Sequence, residues 1–88
     1  MRITLKLYAM LADQLPTEAD GHKRKGNELL LDVPEGTTVQ DVVDRHNLPS
    51  KLVHLVLVNG IYIPPQARAK HVLAAADELA IWPPIAGG

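Results

Sequence analysis

The sequence predicts an α+β domain in which a mixed sheet of four to five strands packs on one main helix. Three observations carry that expectation. Apolar and polar residues alternate at the start of the 88-residue chain and again near its end, one central stretch has helical spacing with a valine stripe, and an Asn-Gly pair separates two apolar runs. A half-buried strand repeats every two residues and a helix every ~3.6, so the two patterns are distinguishable in the sequence itself. A helix of this size must bury its apolar stripe against something, and the strand faces are the surface available.

Ile3, Leu5, Leu7 and Ala9 alternate with Arg2, Thr4, Lys6 and Tyr8, which predicts a first strand with one buried face. Met10, Leu11 and Leu15 then have helix-compatible spacing and stop at Pro16, so residues 10–15 read as one or two helical turns. Residues 16–27 are polar, contain Gly21 and Gly26, and are expected to form a loop whose tip is open to disorder. The basic cluster His22-Lys23-Arg24-Lys25 lies inside that stretch beside Glu18 and Asp20 and reads as solvated. Residues 28–33 resume the strand period, with Leu29, Leu31 and Val33 on one face, and Pro34-Glu35-Gly36 forms the turn that ends it.

Thr37-Thr38-Val39-Gln40 reads as a capping box in which the Thr37 hydroxyl accepts from the third helical amide and Gln40 reaches back. Val39, Val42, Val43 and His46 share one face of the helix that follows, Asp41 and Asp44 point outward, and the helix ends near Asn47 because Pro49 disfavours a helical residue before it. Residues 52–58 are nearly continuously apolar, as in an internal strand covered on both faces. Asn59-Gly60 favours a type I′ turn that folds Ile61-Tyr62-Ile63 back antiparallel, and Pro64-Pro65 ends the pairing. After an irregular stretch over 66–76, Glu78-Leu79-Ala80-Ile81-Trp82 forms the last strand. The faces expected against the helix are Ile3/Leu5/Leu7, Leu29/Leu31/Val33, Leu55/Leu57, Ile61/Ile63 and Leu79/Ile81. No repeat and no second domain is visible: residues 1–82 form the domain and 83–88 an extended arm.

The chain has no cysteine, which removes disulfides, thiolate metal sites and any internal sulfur nucleophile, and fits a reducing compartment. Met1-Arg2 leads straight into the alternating pattern with no basic n-region, and no apolar run approaches the ~18 residues of a membrane span. A cytoplasmic chain without membrane contact is therefore expected. A net charge of −1 gives no electrostatic reason to bind nucleic acid. His22, His46, His54 and His71 lack the tight spacing of a metal site, and Ser50 has no base and orienting acid around it, so neither a metal nor a hydrolase is expected.

The arm is the most distinctive segment. Pro83 and Pro84 fix φ near −65° and bias it toward polyproline II, while Gly87 and Gly88 have no Cβ and can thread a narrow slot. Drawn out, the residues after Trp82 span about 20 Å, enough to enter another protein's pocket. A terminal diglycine alone is equally an ordinary frayed end; its weight comes from the sequence before it.

That sequence, Asp77-Glu78-Leu79-Ala80-Ile81-Trp82-Pro83-Pro84 running into Ile85-Ala86-Gly87-Gly88, together with the Val58-Asn59-Gly60 turn and the strand-like opening, resembles the ubiquitin-like sulfur carriers of the MoaD/ThiS family. The proline pair favours the molybdopterin synthase small-subunit branch (MoaD) over the thiazole branch (ThiS). The resemblance covers nearly the whole chain in order; residues 16–27 are longer than the family requires, and 66–76 aligns with nothing in it. It implies a β-grasp fold with a flexible C-terminal tail. It also implies a carrier subunit of a sulfurtransferase with no acid, base or metal of its own, its catalytic residues lying on the partner. Gly88 is then the reacting residue, with Gly87 beside it. An adenylating partner similar to MoeB, which binds ATP and Mg²⁺, converts the Gly88 carboxylate to an acyl-adenylate. A persulfide donor then makes the thiocarboxylate, and a large subunit similar to MoaE receives the arm and passes the sulfur to the molybdopterin dithiolene. This chain itself is expected to bind no cofactor. Delivery to another pathway (thiamine thiazole, cysteine or a tungsten cofactor) and a ubiquitin-like protein modifier are the alternatives.

Docking needs a patch. Tyr8, Leu30 and Trp82 have the opposite parity to the core faces of their strands, with Pro83, Pro84, Ile85 and Ala86 following, and aromatic anchors dominate many interfaces. These residues are the expected partner-binding surface, the competing reading being that they close the edge of the core.

Overall fold

The computed structural model describes residues 1–84, so the outer part of the arm, from Ile85 to Gly88, and the expected flexible tail lie outside the described residues. A five-stranded mixed sheet forms from β1 (Arg2–Leu7), β4 (Glu28–Asp32), β5 (Leu55–Val58), β6 (Ile61–Tyr62) and β7 (Glu78–Trp82), in the order β4-β1-β7-β5-β6. β1 and β7 run parallel at its centre and the other neighbours are antiparallel. One α-helix, α1 (Val39–Arg45), lies on a single face. This is the ubiquitin-like β-grasp arrangement that the resemblance implies. No described helix is long and apolar enough to cross a membrane.

The alternation of β1, β4 and β7 reads through directly: Ile3, Leu5, Leu7, Leu29, Leu31, Leu79 and Ile81 are all at most 1% exposed. Val39, Val42 and Val43 of α1 meet them. A seven-residue helix is too short to hold itself in water; burying its stripe, at ~1.5–3 kcal/mol per fully buried valine, holds it on the sheet. Its cap sits one residue later than expected. Thr38 Oγ1 accepts from the Asp41 amide at 3.1 Å and the Asp41 carboxylate accepts from the Thr38 amide at 2.9 Å, while the Thr37 hydroxyl donates to the Pro34 carbonyl. The amides of Val39 and Gln40 donate to the carbonyls of His71 and Arg68, so the first helical N–H groups are satisfied by the 66–76 stretch.

The helical turns expected over 10–15 are present, in 3₁₀ form, and two other expectations are corrected. Residues 10–15 form a 3₁₀ helix (Ala9–Gln14) that buries Leu11, with Leu15 buried beyond it, while Met10 is 57% exposed. The polar stretch 16–27 is an ordered ribbon, β2 (Glu18–Ala19) paired with β3 (His22–Lys23), closed by Asp20 and Gly21 at φ 53° and 80°. Positive φ at both central residues is the type I′ geometry that Asp-Gly supplies. The ribbon is clipped to the rest of the fold: Asp20 pairs with Arg45 at 2.7 Å and accepts from the Asp32 amide, and the Arg24 guanidinium donates to the Leu15 carbonyl. Its basic cluster is therefore only partly solvated.

The run 52–58 is not a strand covered on both faces. Leu52 closes a 3₁₀ turn (Ser50–Leu52), Val53 bends the chain at φ −88°, ψ 84°, and β5 starts only at Leu55. Val56 and Val58 then face the core beside Ile63, whereas Leu55 and Leu57 lie on the other face, half-buried, and Ile61 is 68% exposed at the sheet edge. The polar residue of the run, His54, lies before β5, and within the strand every residue is apolar, so no period marks its faces. The Asn59-Gly60 turn has the expected type I′ signs, φ 51° and 83°.

Candidate functional site: the open sheet face

The face of the sheet turned away from α1 carries the residues that alternation leaves outside the core. Register places Leu55 beside Trp82, and Leu57 beside both Ala80 and Tyr62. Tyr8 follows the parallel pair Leu7/Ile81, and its amide donates to the Ile81 carbonyl at 3.1 Å, so the ladder extends far enough to set Tyr8 next to Trp82. The two rings stack with centroids 4.0 Å apart and planes 8° from parallel. Trp82, Tyr8, Leu55 and Leu57 are half-buried and Tyr62 is 51% exposed, giving an apolar, aromatic patch that no other described residue covers. Such patches mark interaction sites more often than chance.

Tyr8 and Trp82 are thus brought together as expected, and Leu30 is not. Leu30, 39% exposed, lies opposite Thr4 on the same face. Four residues along β1 separate that row from Tyr8, about 13 Å of strand. Between them Lys6 bridges Glu78 at 3.2 Å and Glu28 at 3.8 Å. The hydrogen bond that the Lys6 ammonium donates to the Glu78 carboxylate raises the Lys6 pKa above its ordinary value, so the divide between patch and Leu30 is a charged one. Leu55, Leu57 and Tyr62 were missed as patch members. The Asn-Gly turn contained the signal: a two-residue hairpin pairs Val58 with Ile61, which puts Leu57 opposite Tyr62 and fixes their common face.

The arm leaves this patch directly. Pro83 is buried and Pro84 exposed, and among the described residues the backbone hydrogen bond that grips the end of β7 is that from the His54 amide to the Trp82 carbonyl, 3.1 Å. Gly88, Gly87, Ala86 and Ile85 lie outside the described residues. Among the described residues no cluster of His, Cys, Asp and Glu could hold a metal ion. His22, in β3 of the ribbon, and His46, at the end of α1, each have a buried Nε2 with no hydrogen-bond partner among the described residues, the His22 Nε2 lying 3.4 Å from the Asp32 carboxylate; burial holds the His46 imidazole below its ordinary value. What the described residues of the patch present is apolar and aromatic surface, bordered by the Lys6–Glu78 ion pair.

The ThiS family model matches residues 17–88. Among solved structures, the crystal structure of SAMP1 from Haloferax volcanii is similar over 100% of both chains, at 28% identity and a TM-score of 0.65. A crystal structure of H. volcanii small archaeal modifier protein 1 is similar at 26% identity and a TM-score of 0.62, over 96% of this chain and 98% of that one. A structure described as molybdopterin converting factor, subunit 1, from Pyrococcus furiosus has a TM-score of 0.62 over 96% and 98% of the two chains, and at 18% identity it supports the fold alone. No curated protein matches the chain.

Proposed function

Because the chain belongs to the ThiS family, we propose that it is a sulfur carrier whose working group is the carboxylate of Gly88, presented to partner enzymes by the Tyr8/Trp82 face. The observation that supports this most is the placement of the arm's root. The proline pair leaves the sheet at the Tyr8/Trp82 end of the aromatic patch, so a partner that docks on the patch receives the arm at the same time.

The chemistry follows from the group itself. A C-terminal carboxylate, with an ordinary pKa of ~3.3–3.7, is an anion at neutral pH and a poor electrophile. In the proposed sequence its oxygen attacks the α-phosphorus of ATP held by a MoeB-like enzyme, and pyrophosphate leaves. A donor persulfide displaces AMP, and a second thiol closes a disulfide on the donor to release the thiocarboxylate. In the molybdopterin branch a MoaE-like large subunit takes the arm, the thiocarboxylate sulfur attacks a carbon of the pterin precursor and displaces an oxygen leaving group, and water cleaves the resulting thioester, leaving the sulfur on the pterin and returning the Gly88 carboxylate. Trp82, Pro83, Pro84, Ile85 and Ala86 connect the patch to Gly88 in sequence, with Tyr8 anchoring the docking face, and Leu30, beyond the charged row at Lys6, is a separate contact for a partner large enough to reach it.

A second reading, a protein modifier joined through Gly88 to lysines, has the full-length likeness to a small archaeal modifier protein in its support. One experiment separates the two. The chain is incubated with ATP, Mg²⁺, the activating enzyme of its own source and a sulfur donor, and mass spectrometry is applied to its C-terminal peptide and to cell proteins. A carrier gains the mass of sulfur replacing oxygen at Gly88; a modifier appears as isopeptide branches on target lysines. Neither adenylate nor thiocarboxylate with any cognate enzyme overturns the carrier reading.

A further inference from the structure

Building on the carrier reading, we propose that Arg68 is a positioning residue that acts through His54 to fix the end of β7 and so aims the arm. Arg68 is the buried polar residue of the described core, 6% exposed, and among the described residues no carboxylate lies within ion-pair distance of it. Its guanidinium instead donates to three backbone carbonyls: Nε to Ile63 at 3.1 Å, Nη1 to Val53 at 3.2 Å and Nη2 to His54 at 3.0 Å. A buried charge without a counter-ion is costly, and an apolar side chain of similar volume is the cheaper way to fill such a site. What an apolar side chain cannot do is hold three carbonyls in one plane, which the rigid fork of a guanidinium does.

Two of those carbonyls, Val53 and His54, are consecutive. In an extended strand consecutive carbonyls point to opposite sides; the bend at Val53 brings both toward Arg68. The opposite edge of the same segment faces β7, where the His54 amide donates to the Trp82 carbonyl. That carbonyl belongs to the peptide plane joining Trp82 to Pro83. Neither Pro83 nor Pro84 has an N–H to bond back to the sheet, and their rings fix φ. The orientation of the Trp82–Pro83 plane therefore sets the direction of the whole stem. Arg68 is itself held from behind, since its carbonyl accepts from Gln40 in the first turn of α1 at 3.0 Å. A continuous line of contacts runs from helix to Arg68, to His54, to the arm's root.

The test uses the full chain and compares Arg68→Met, which keeps the stem and removes the donors, with Arg68→Lys, which keeps the charge without the fork. Amide exchange by NMR and adenylation by ATP–pyrophosphate exchange with the activating enzyme are read together. The expected result for Arg68→Met is His54 exchange faster by about tenfold, with Leu79 and Ile81 changed by less than about twofold. Adenylation kcat falls by about tenfold or more while the half-saturating carrier concentration stays within about twofold, because the docking side chains remain and only the aim is lost. Arg68→Lys falls between, and carries the comparison alone if Arg68→Met does not fold. Uniform acceleration of all amides, an unchanged His54, or a freed His54 with unchanged kcat each overturns the proposal. A wild-type chain that no activating enzyme adenylates removes the carrier reading instead, and the exchange pattern still decides whether Arg68 clamps the end of β7.

Discussion

Trp82 is assigned two jobs, closing the sheet end against Tyr8 and anchoring the partner, and a pair of measurements separates them. The chain has a single tryptophan, so its fluorescence reports both. With centroids 4.0 Å apart and planes 8° from parallel, the stack is expected to contribute about 0.5–1.5 kcal/mol beyond area burial. A double-mutant cycle of Tyr8→Ala and Trp82→Ala, followed by urea unfolding monitored by circular dichroism, should return a coupling energy of about 1 kcal/mol. That is a visible share of the ~5–15 kcal/mol that holds a small domain together. Binding is the second measurement. A central aromatic anchor typically contributes 2 kcal/mol or more, so Trp82→Ala should weaken the dissociation constant for the activating enzyme by about 30-fold in titration calorimetry. Trp82→Phe, which keeps a ring against Tyr8, should restore most of the coupling and part of the binding. A coupling energy below about 0.3 kcal/mol would show the stack to be energetically idle. An unchanged dissociation constant in Trp82→Ala would remove the open face from the docking surface altogether.

Thr38→Ala should cost about 1 kcal/mol in urea unfolding, and Thr37→Ala clearly less, because Thr38 holds the cap and Thr37 only the preceding turn; equal losses would contradict the cap assignment. Burial keeps the His46 imidazole below its ordinary 6.5, so the unfolded chain binds the proton first. Its contribution to stability is complete above pH 6.5 and is lost as pH falls from there through the folded value. Asp20 is held below its ordinary 3.8, chiefly by Arg45, so its contribution is present above that value and disappears as pH falls through the folded one. Urea midpoints measured across pH should therefore fall in two stages, the first missing in His46→Gln and the second in Asp20→Asn; a profile unaltered by both variants refutes the assignment. Deleting Gly87 and Gly88 should leave the melting temperature within about 2 °C of the full chain while abolishing sulfur loading in the mass spectrometric assay. A deletion that unfolds the domain would show the arm to be part of the core.

The parts of the fold legible in the sequence are those where one face is apolar and the other is not. β1, β4 and β7 have that contrast, and their buried residues were assigned correctly. It fails over 52–58, where the polar residue, His54, lies beside the bend at Val53 and outside the strand, and Leu55 to Val58 offer no polar marker. Arg68 was invisible because arginine is ordinarily at the surface, and only three-dimensional proximity reveals that carbonyls from two segments surround it. The ribbon was missed because its strands are two residues each and polar, leaving only Asp20-Gly21 as a cue. The cap slipped by one because adjacent threonines both satisfy the motif and only the reciprocal partner, Asp41 in place of Gln40, distinguishes them. Of the docking face, the Tyr8/Trp82 pair was legible from parity. Leu30 shares their face, but the breadth of the sheet and the charged row at Lys6 keep it apart from them.

The central pair of the sheet joins the earliest strand to the latest, β1 to β7, with the whole of the chain between them. On the ribosome, Ile3, Leu5 and Leu7 must wait for Leu79 and Ile81 to clear the exit tunnel before the sheet can close. Such distant pairing is entropically late to form and folds slowly. The domain therefore matures only after β7 has been made and has emerged, so a nascent chain truncated before β7 would be left without a completed sheet and exposed to quality control before any activating enzyme could charge it.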